Sequence, residues 1–147
     1  MPDSFIENLK EKPLLFDGAM GTMLMKAGKT GLKTPILLNL DEPELVTDIH
    51  RQYYAAGADV VITNTFGGSP LKLVADGLEQ QMAALNRAAV KLTRQACPAG
   101  KYVAGDIGPS GKMLKPLGDA EPKDVEASFF SQAGVLIESG VDLIIIE

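Results

Sequence analysis

Tryptophan is absent from this 147-residue chain, and cysteine and histidine occur once each, as Cys97 and His50. A lone cysteine excludes an internal disulfide framework and suits a reducing compartment. His50 has no second histidine or cysteine at ligand spacing, so it reads as a packing or surface residue and not as a metal ligand. Positive charge is also scarce: 14 lysines and arginines face 19 acids, for a net charge of -5 and a pI near 4.9. That balance leaves no basic footprint for nucleic acid or an anionic membrane surface. No apolar run approaches the ~18 residues of a membrane span, and Met1 to Lys12 has no apolar signal core. A cytoplasmic protein is the resulting expectation. Linkers and low-complexity tracts are missing too, so the 46% hydrophobic and 22% charged content describes one domain with a substantial core.

What the chain does contain is a repeated joint. In Ala56-Gly57-Ala58-Asp59-Val60-Val61-Ile62-Thr63-Asn64-Thr65-Phe66-Gly67-Gly68 a helical segment closes at a glycine, where the missing Cβ permits a left-handed cap. It passes directly into a β-branched run with a polar lip. Ser139-Gly140-Val141-Asp142-Leu143-Ile144-Ile145-Ile146-Glu147 repeats the order and sets a carboxylate at the far end. The run Asp59 to Ile62 does not alternate polar with apolar residues, which predicts a strand covered on both faces, as in parallel sheets.

Taken in order, Ser4 to Lys10 suits a lead-in helix, and Leu14, Leu15 and Phe16 a first strand ended by Asp17-Gly18. Ala19 to Lys26 begins a helix, and Gly28 to Pro35 is loop. Asp41 is placed to cap a helix with Leu45, Val46, Ile49, Tyr53 and Ala56 on one face. Leu78, Met82, Leu85, Ala89 and Leu92 form the clearest amphipathic stripe. Tyr102 to Asp106 supplies a third strand, followed by Ile107-Gly108-Pro109-Ser110-Gly111. Pro122 suits the first turn of a last helix that buries Val125, Phe129, Ala133, Leu136 and Ile137.

Strands therefore begin near positions 14, 58, 101 and 141, separated by helical sequence and no hairpin signal. The reading is an α/β chain of parallel (β/α) units, either a doubly wound sheet or part of a (β/α)₈ barrel. Four such units would make half a barrel, and an end at Glu147, on a strand with no helix behind it, predicts a truncated piece of a longer domain. Gly28-Lys29-Thr30 and Gly111-Lys112 fail the spacing of a phosphate loop, and the dinucleotide fingerprint is missing. Cys97 falls where strand 3 begins, whereas barrel chemistry sits at the strands' C-terminal ends.

Asp17, Thr63 with Asn64 and Thr65, Asp106 and Glu147 all fall at that C-terminal end. Parallel strands would bring them to one rim, a small-molecule site whose paired acids suit a ligand ammonium group. The competing reading is that such residues cap helices or satisfy loop amides. Function is preferred for Asp17 and Glu147; for Asn64 and Asp106 both readings stand.

Phe16-Asp17-Gly18-Ala19-Met20-Gly21-Thr22, Leu38-Asn39-Leu40 with Pro43-Glu44, His50 to Tyr53, Gly57-Ala58-Asp59, Thr63-Asn64-Thr65-Phe66-Gly67 and Gly105-Asp106-Ile107-Gly108-Pro109 together resemble the homocysteine S-methyltransferase family. The likeness is greatest to the N-terminal homocysteine-binding module of its cobalamin-dependent members. It implies a (β/α)₈ barrel of which this chain is the first half, with methyl transfer to the homocysteine sulfur by the intact parent and no activity in this half alone. It also implies a zinc ion held by three cysteines on later strands, outside this chain, and substrate anchoring here by Asp17 and Glu147, with Gly18, Asn64 and Asp106 nearby. Methylcobalamin is a possible donor, and corrinoid and folate domains are possible neighbours. Unpaired strand edges predict self-association of the half-barrel. Two other classes stay open: a non-catalytic binding or assembly module, and an aldolase-like half-barrel using Asp17 and Glu147 as acid and base.

Overall fold

The computed structural model describes residues 4–147. Local sequence starts the first element: the Glu7 N–H donates to the Ser4 hydroxyl (3.2 Å) and the Ser4 N–H to Glu7 Oε2 (3.2 Å). This reciprocal capping box opens helix α1 (Phe5–Glu11). Helices α2 (Met20–Lys26), α3 (Leu38–Asp41) and α4 (Pro43–Ala55) follow. Strand β1 (Val60–Ile62), helices α5 (Pro70–Leu73) and α6 (Met82–Ala96), strand β2 (Tyr102–Ile107), helix α7 (Pro122–Glu138) and strand β3 (Leu143–Ile146) complete the order. The three strands form a parallel sheet in chain order, with Val61 beside Val103 and Gly105 beside Ile144.

The sequence predicts four strands, the first at Leu14 to Phe16, and the structure reduces that one to a single parallel bridge, Phe16 to Val60. Backbone bonds do cross there, with the Leu15 carbonyl accepting from Asp59 N (2.7 Å) and Val60 N (3.1 Å), and Asp17 N donating to Val60 O (3.0 Å). Side chains then take the neighbouring amides: Leu15 N–H goes to Asp59 Oδ2 (3.0 Å) and Ile62 N–H to Asp17 Oδ2 (3.1 Å). Carboxylates thus stand where the ladder would continue, and Pro13 has no N–H to extend it.

The repeated glycine–aspartate joint has a structural reason. Gly57 and Gly140 both adopt positive φ, +111° and +91°, ending α4 and α7. Two residues later the aspartate pins the next strand against its predecessor. Val103 N–H donates to Asp142 Oδ2 (2.8 Å), and Asp142 N–H returns to Val103 O (2.9 Å), as Asp59 does with Leu15. Asp59 is further paired with Lys101 (2.7 Å) and Asp142 with Arg94 (2.8 Å).

Pleating sorts the sheet's two faces. Val61 packs with Tyr54, Ala58 and Ala96, and Ile107 with Val90 and Leu136, on the face covered by α4, α6 and α7. Val60, Tyr102 and Ala104 point the other way and meet Phe5, Leu14, Phe16, Ile62, Leu143 and Ile145. Phe5 of α1 stands edge-on to Tyr102, ring centroids 5.4 Å apart, closing the N-terminal end of that apolar face. Its C-terminal end is left to the polar residues.

Four helical expectations are corrected. Asp41 ends α3 and caps nothing; Pro43 takes the first turn of α4, and no side chain caps it. Helix α6 begins at Met82 after a short 3₁₀ turn, although Leu78 still packs with Leu85. On α7 the buried positions include Ser128 and Gln132, while Ile137 is 63% exposed; on α4, Ala56 is likewise exposed.

Candidate functional site

Period-two geometry carries the face of Tyr102 and Ala104 on to Asp106, and that of Leu143 and Ile145 on to Glu147. Asp17 arrives from the bridge segment beside β1. An open cavity of about 500 Å³ lies among them, lined by Asp17, Gly18, Asn64, Asp106 and Glu147, with Ala19 to Gly21 at the start of α2 on one side. All five residues singled out from the sequence therefore border one space. Thr63 and Phe66 also line it, and Thr65 stands behind.

The lining holds three carboxyl side chains and no lysine, arginine or histidine. Burial raises Asp17 to about 6, against the Ile62 N–H that lowers it, and Glu147 adds a smaller push upward. Burial raises Asp106 to about 7, with the charges of Glu147 and Asp17 adding to it. Asp17 Oδ1 and Asp106 Oδ1 are buried and have no hydrogen-bond partner. A cluster of acids without a cation, with two oxygens unpaired, is short of positive charge and of donors.

Asp106 is held by its backbone. Thr65 Oγ1 donates to Asp106 O (2.7 Å), so the neighbouring Thr63 hydroxyl is the donor in its 2.7 Å bond to Thr65 Oγ1. The Asp106 N–H is shared between Thr63 Oγ1 and Thr65 Oγ1, each at 3.2 Å. Gln132 of α7 donates to Thr65 O (2.9 Å) and to Asn86 Oδ1 (3.1 Å), and Asn86 of α6 to Gly68 O (2.9 Å). Asn64 is committed largely to structure: its amide donates to Pro35 O (2.9 Å) and Asn39 Oδ1 (3.2 Å), while Asn39 donates to Asn64 O (2.9 Å). Gly18 permits a close approach, since a Cβ there would lie 3.1 Å from the Tyr53 hydroxyl, which donates to Ala19 O (2.9 Å).

Asn39 enters the sequence analysis only within the family motif Leu38-Asn39-Leu40, without a role, and Asn86 and Gln132 do not enter it. Their signal was a polar residue at a core position of a helix, next to Leu38, Leu85 and Ala133. His50 is fully buried, bonded through Nε2 to Thr93 Oγ1 (3.0 Å), and burial lowers its pKa to about 4. It packs between α4 and α6, as the sequence reading allowed. Cys97 caps the C-terminus of α6, next to the start of β2 and away from the cavity. Among the described residues no three histidine, cysteine, aspartate or glutamate side chains are grouped to hold a metal ion. The described residues do not fit a zinc site.

Comparison with known proteins identifies the family. The sequence profile of the homocysteine S-methyltransferase family matches residues 14–147. The chain is 31% identical to a methionine synthase of Mycobacterium leprae over 97% of its length, and 30% identical to that of Mycobacterium tuberculosis. It spans 13% of the length of either relative. Among solved structures, the homocysteine methyltransferase MmuM of Escherichia coli in its metallated form superposes with a TM-score of 0.81 at 28% identity, covering 96% of this chain and 56% of that one. Its apo form superposes at 0.70. By its sequence profile and by its fold, the chain belongs to the homocysteine S-methyltransferase family.

Proposed function

We propose that residues 1–147 form the substrate-anchoring half of a (β/α)₈ barrel that transfers a methyl group to the thiol of homocysteine. The observation that carries this reading is the convergence of Asp17, Asp106 and Glu147 on a cavity with no basic lining residue. An α-ammonium group brings the missing positive charge and up to three donors. Asp17 lines that cavity and keeps one carboxylate oxygen, Oδ1, buried without a partner; Asp17 and Glu147 are the assigned ammonium partners. Gly18 backbone and the free oxygen of Asn64 border the same space, and Asp106 forms its floor. Ligand binding replaces mutual repulsion among acids by charge-assisted hydrogen bonds.

Activation of the thiol falls to groups outside residues 1–147; in the zinc-dependent reading they are cysteines of later strands. The half alone is then inactive. A methylcobalamin donor and attached corrinoid or folate domains are consistent with relatives far longer than this chain.

Calorimetric titration with homocysteine and with 4-mercaptobutanoate, which keeps thiol and carboxylate but lacks the amine, tests the assignment. Homocysteine should bind ~10- to 100-fold more tightly, the worth of one or more charge-assisted hydrogen bonds. Asp17→Asn should remove most of that difference. Equal affinities for the two ligands would sink the assignment.

A further inference from the structure

Beyond the acid-lined cavity, a second one of about 330 Å³ opens on the same rim and shares Pro35, Asn64 and Phe66 with it. Its charge is of the other sign. Lys33 and Lys72 line it, against the single carboxylate of Asp76, and Asp76 Oδ2 is engaged by the Thr34 hydroxyl (2.7 Å). Neither lysine forms an ion pair with any described residue, although six other ion pairs are present among those residues.

Lys72 is exposed, yet its stem runs close along backbone. Its stem crosses two glycines: a Cβ on Gly67 would stand 3.8 Å from Lys72 Cγ, and one on Gly111 3.2 Å from Cδ and 3.5 Å from Nζ. Gly111 takes φ +72°, so the loop after β2 turns back over the lysine where a side chain would be strained. An ammonium whose stem lies against backbone on two sides has fewer open rotamers, and so loses less freedom on binding an anion.

We infer that the cavity between Lys33 and Lys72 is an oxyanion site, which takes the carboxylate or phosphate group of a second ligand seated beside the one in the acid cavity. Phe66, 44% exposed, is the partition between the two. The inference goes beyond homocysteine anchoring and does not need it, because neither lysine lines the first cavity.

Titration calorimetry of the chain with inorganic phosphate, and separately with acetate, at constant ionic strength is the direct test. One saturable site is expected for at least one oxyanion, and the tighter of the two gives the ligand class. Lys33→Gln and Lys72→Gln should each weaken it about 5- to 10-fold, the loss of one charge-assisted hydrogen bond, and Lys91→Gln on the exposed face of α6 should leave it unchanged. Non-saturating heats with both anions, or an equal loss in the Lys91 variant, would overturn the site. A chain that fails to bind homocysteine yet binds phosphate through these lysines would refute the anchoring role and leave this site standing.

Discussion

At the scale of single residues, Asp17 and Asp106 on one side and His50 on the other are shifted by burial in opposite directions. Asp17 and Asp106 keep their protons to about 6 and about 7 in the fold, against 3.8 for an ordinary aspartate. The folded state therefore binds more protons than the unfolded chain between those values, and stability falls as pH rises through that window. His50 stays neutral down to about 4 instead of 6.5, so its contribution is present above 6.5 and is lost as pH falls toward 4. Replacing Asp106 by asparagine removes one of the two carboxyl costs. Thermal unfolding of Asp106→Asn should show a gain over the parent that is small at pH 5 and larger at pH 8; a gain independent of pH would show that Asp106 is not held protonated by the fold.

At the scale of elements, the site depends on how the exits of β1 and β2 are tied together. Gly68 lies between α6 and α7, where a Cβ would stand 2.7 Å from Asn86 Oδ1 and 2.8 Å from Gln132 Nε2. Gly68→Ala should cost ~1–3 kcal/mol through overpacking, seen as a lower urea midpoint with an unchanged slope. It should also loosen Thr65 and Asp106, which Gln132 holds at their carbonyls. A midpoint equal to the parent's would mean that the network relaxes freely. The sequence showed the glycine but not its reason. Asn86 and Gln132 lie 46 residues apart in the chain and meet only after α6 and α7 pack. The first strand was misread for a related cause: three apolar residues satisfy strand propensity, yet the carboxylates of Asp59 and Asp17, invisible to local pattern, occupy its ladder positions.

At the scale of the whole molecule, β3 pairs on one side only among the described residues, and Ile146 is 80%, Phe130 81% and Ile137 63% exposed. An unpaired parallel edge beside apolar side chains is a template for further strands. The isolated 147-residue chain should self-associate at micromolar concentration, and sedimentation velocity showing a single monomeric species would refute this. The order of the later three strands and of the longer helices, their parallel direction, the burial of Val60 and Val61 in β1 and the placing of the five rim residues on one cavity were legible, because hydrophobic period and glycine punctuation are local properties that survive folding unchanged. Sequence alone also determined the family likeness. Only the tertiary structure decided that Asn64 spends its amide on Pro35 and Asn39, that Gln132 supports Asp106, and that two lysines share a hollow beside the acids. Those facts depend on distances between residues far apart in the chain, which are set when the helices close over the sheet.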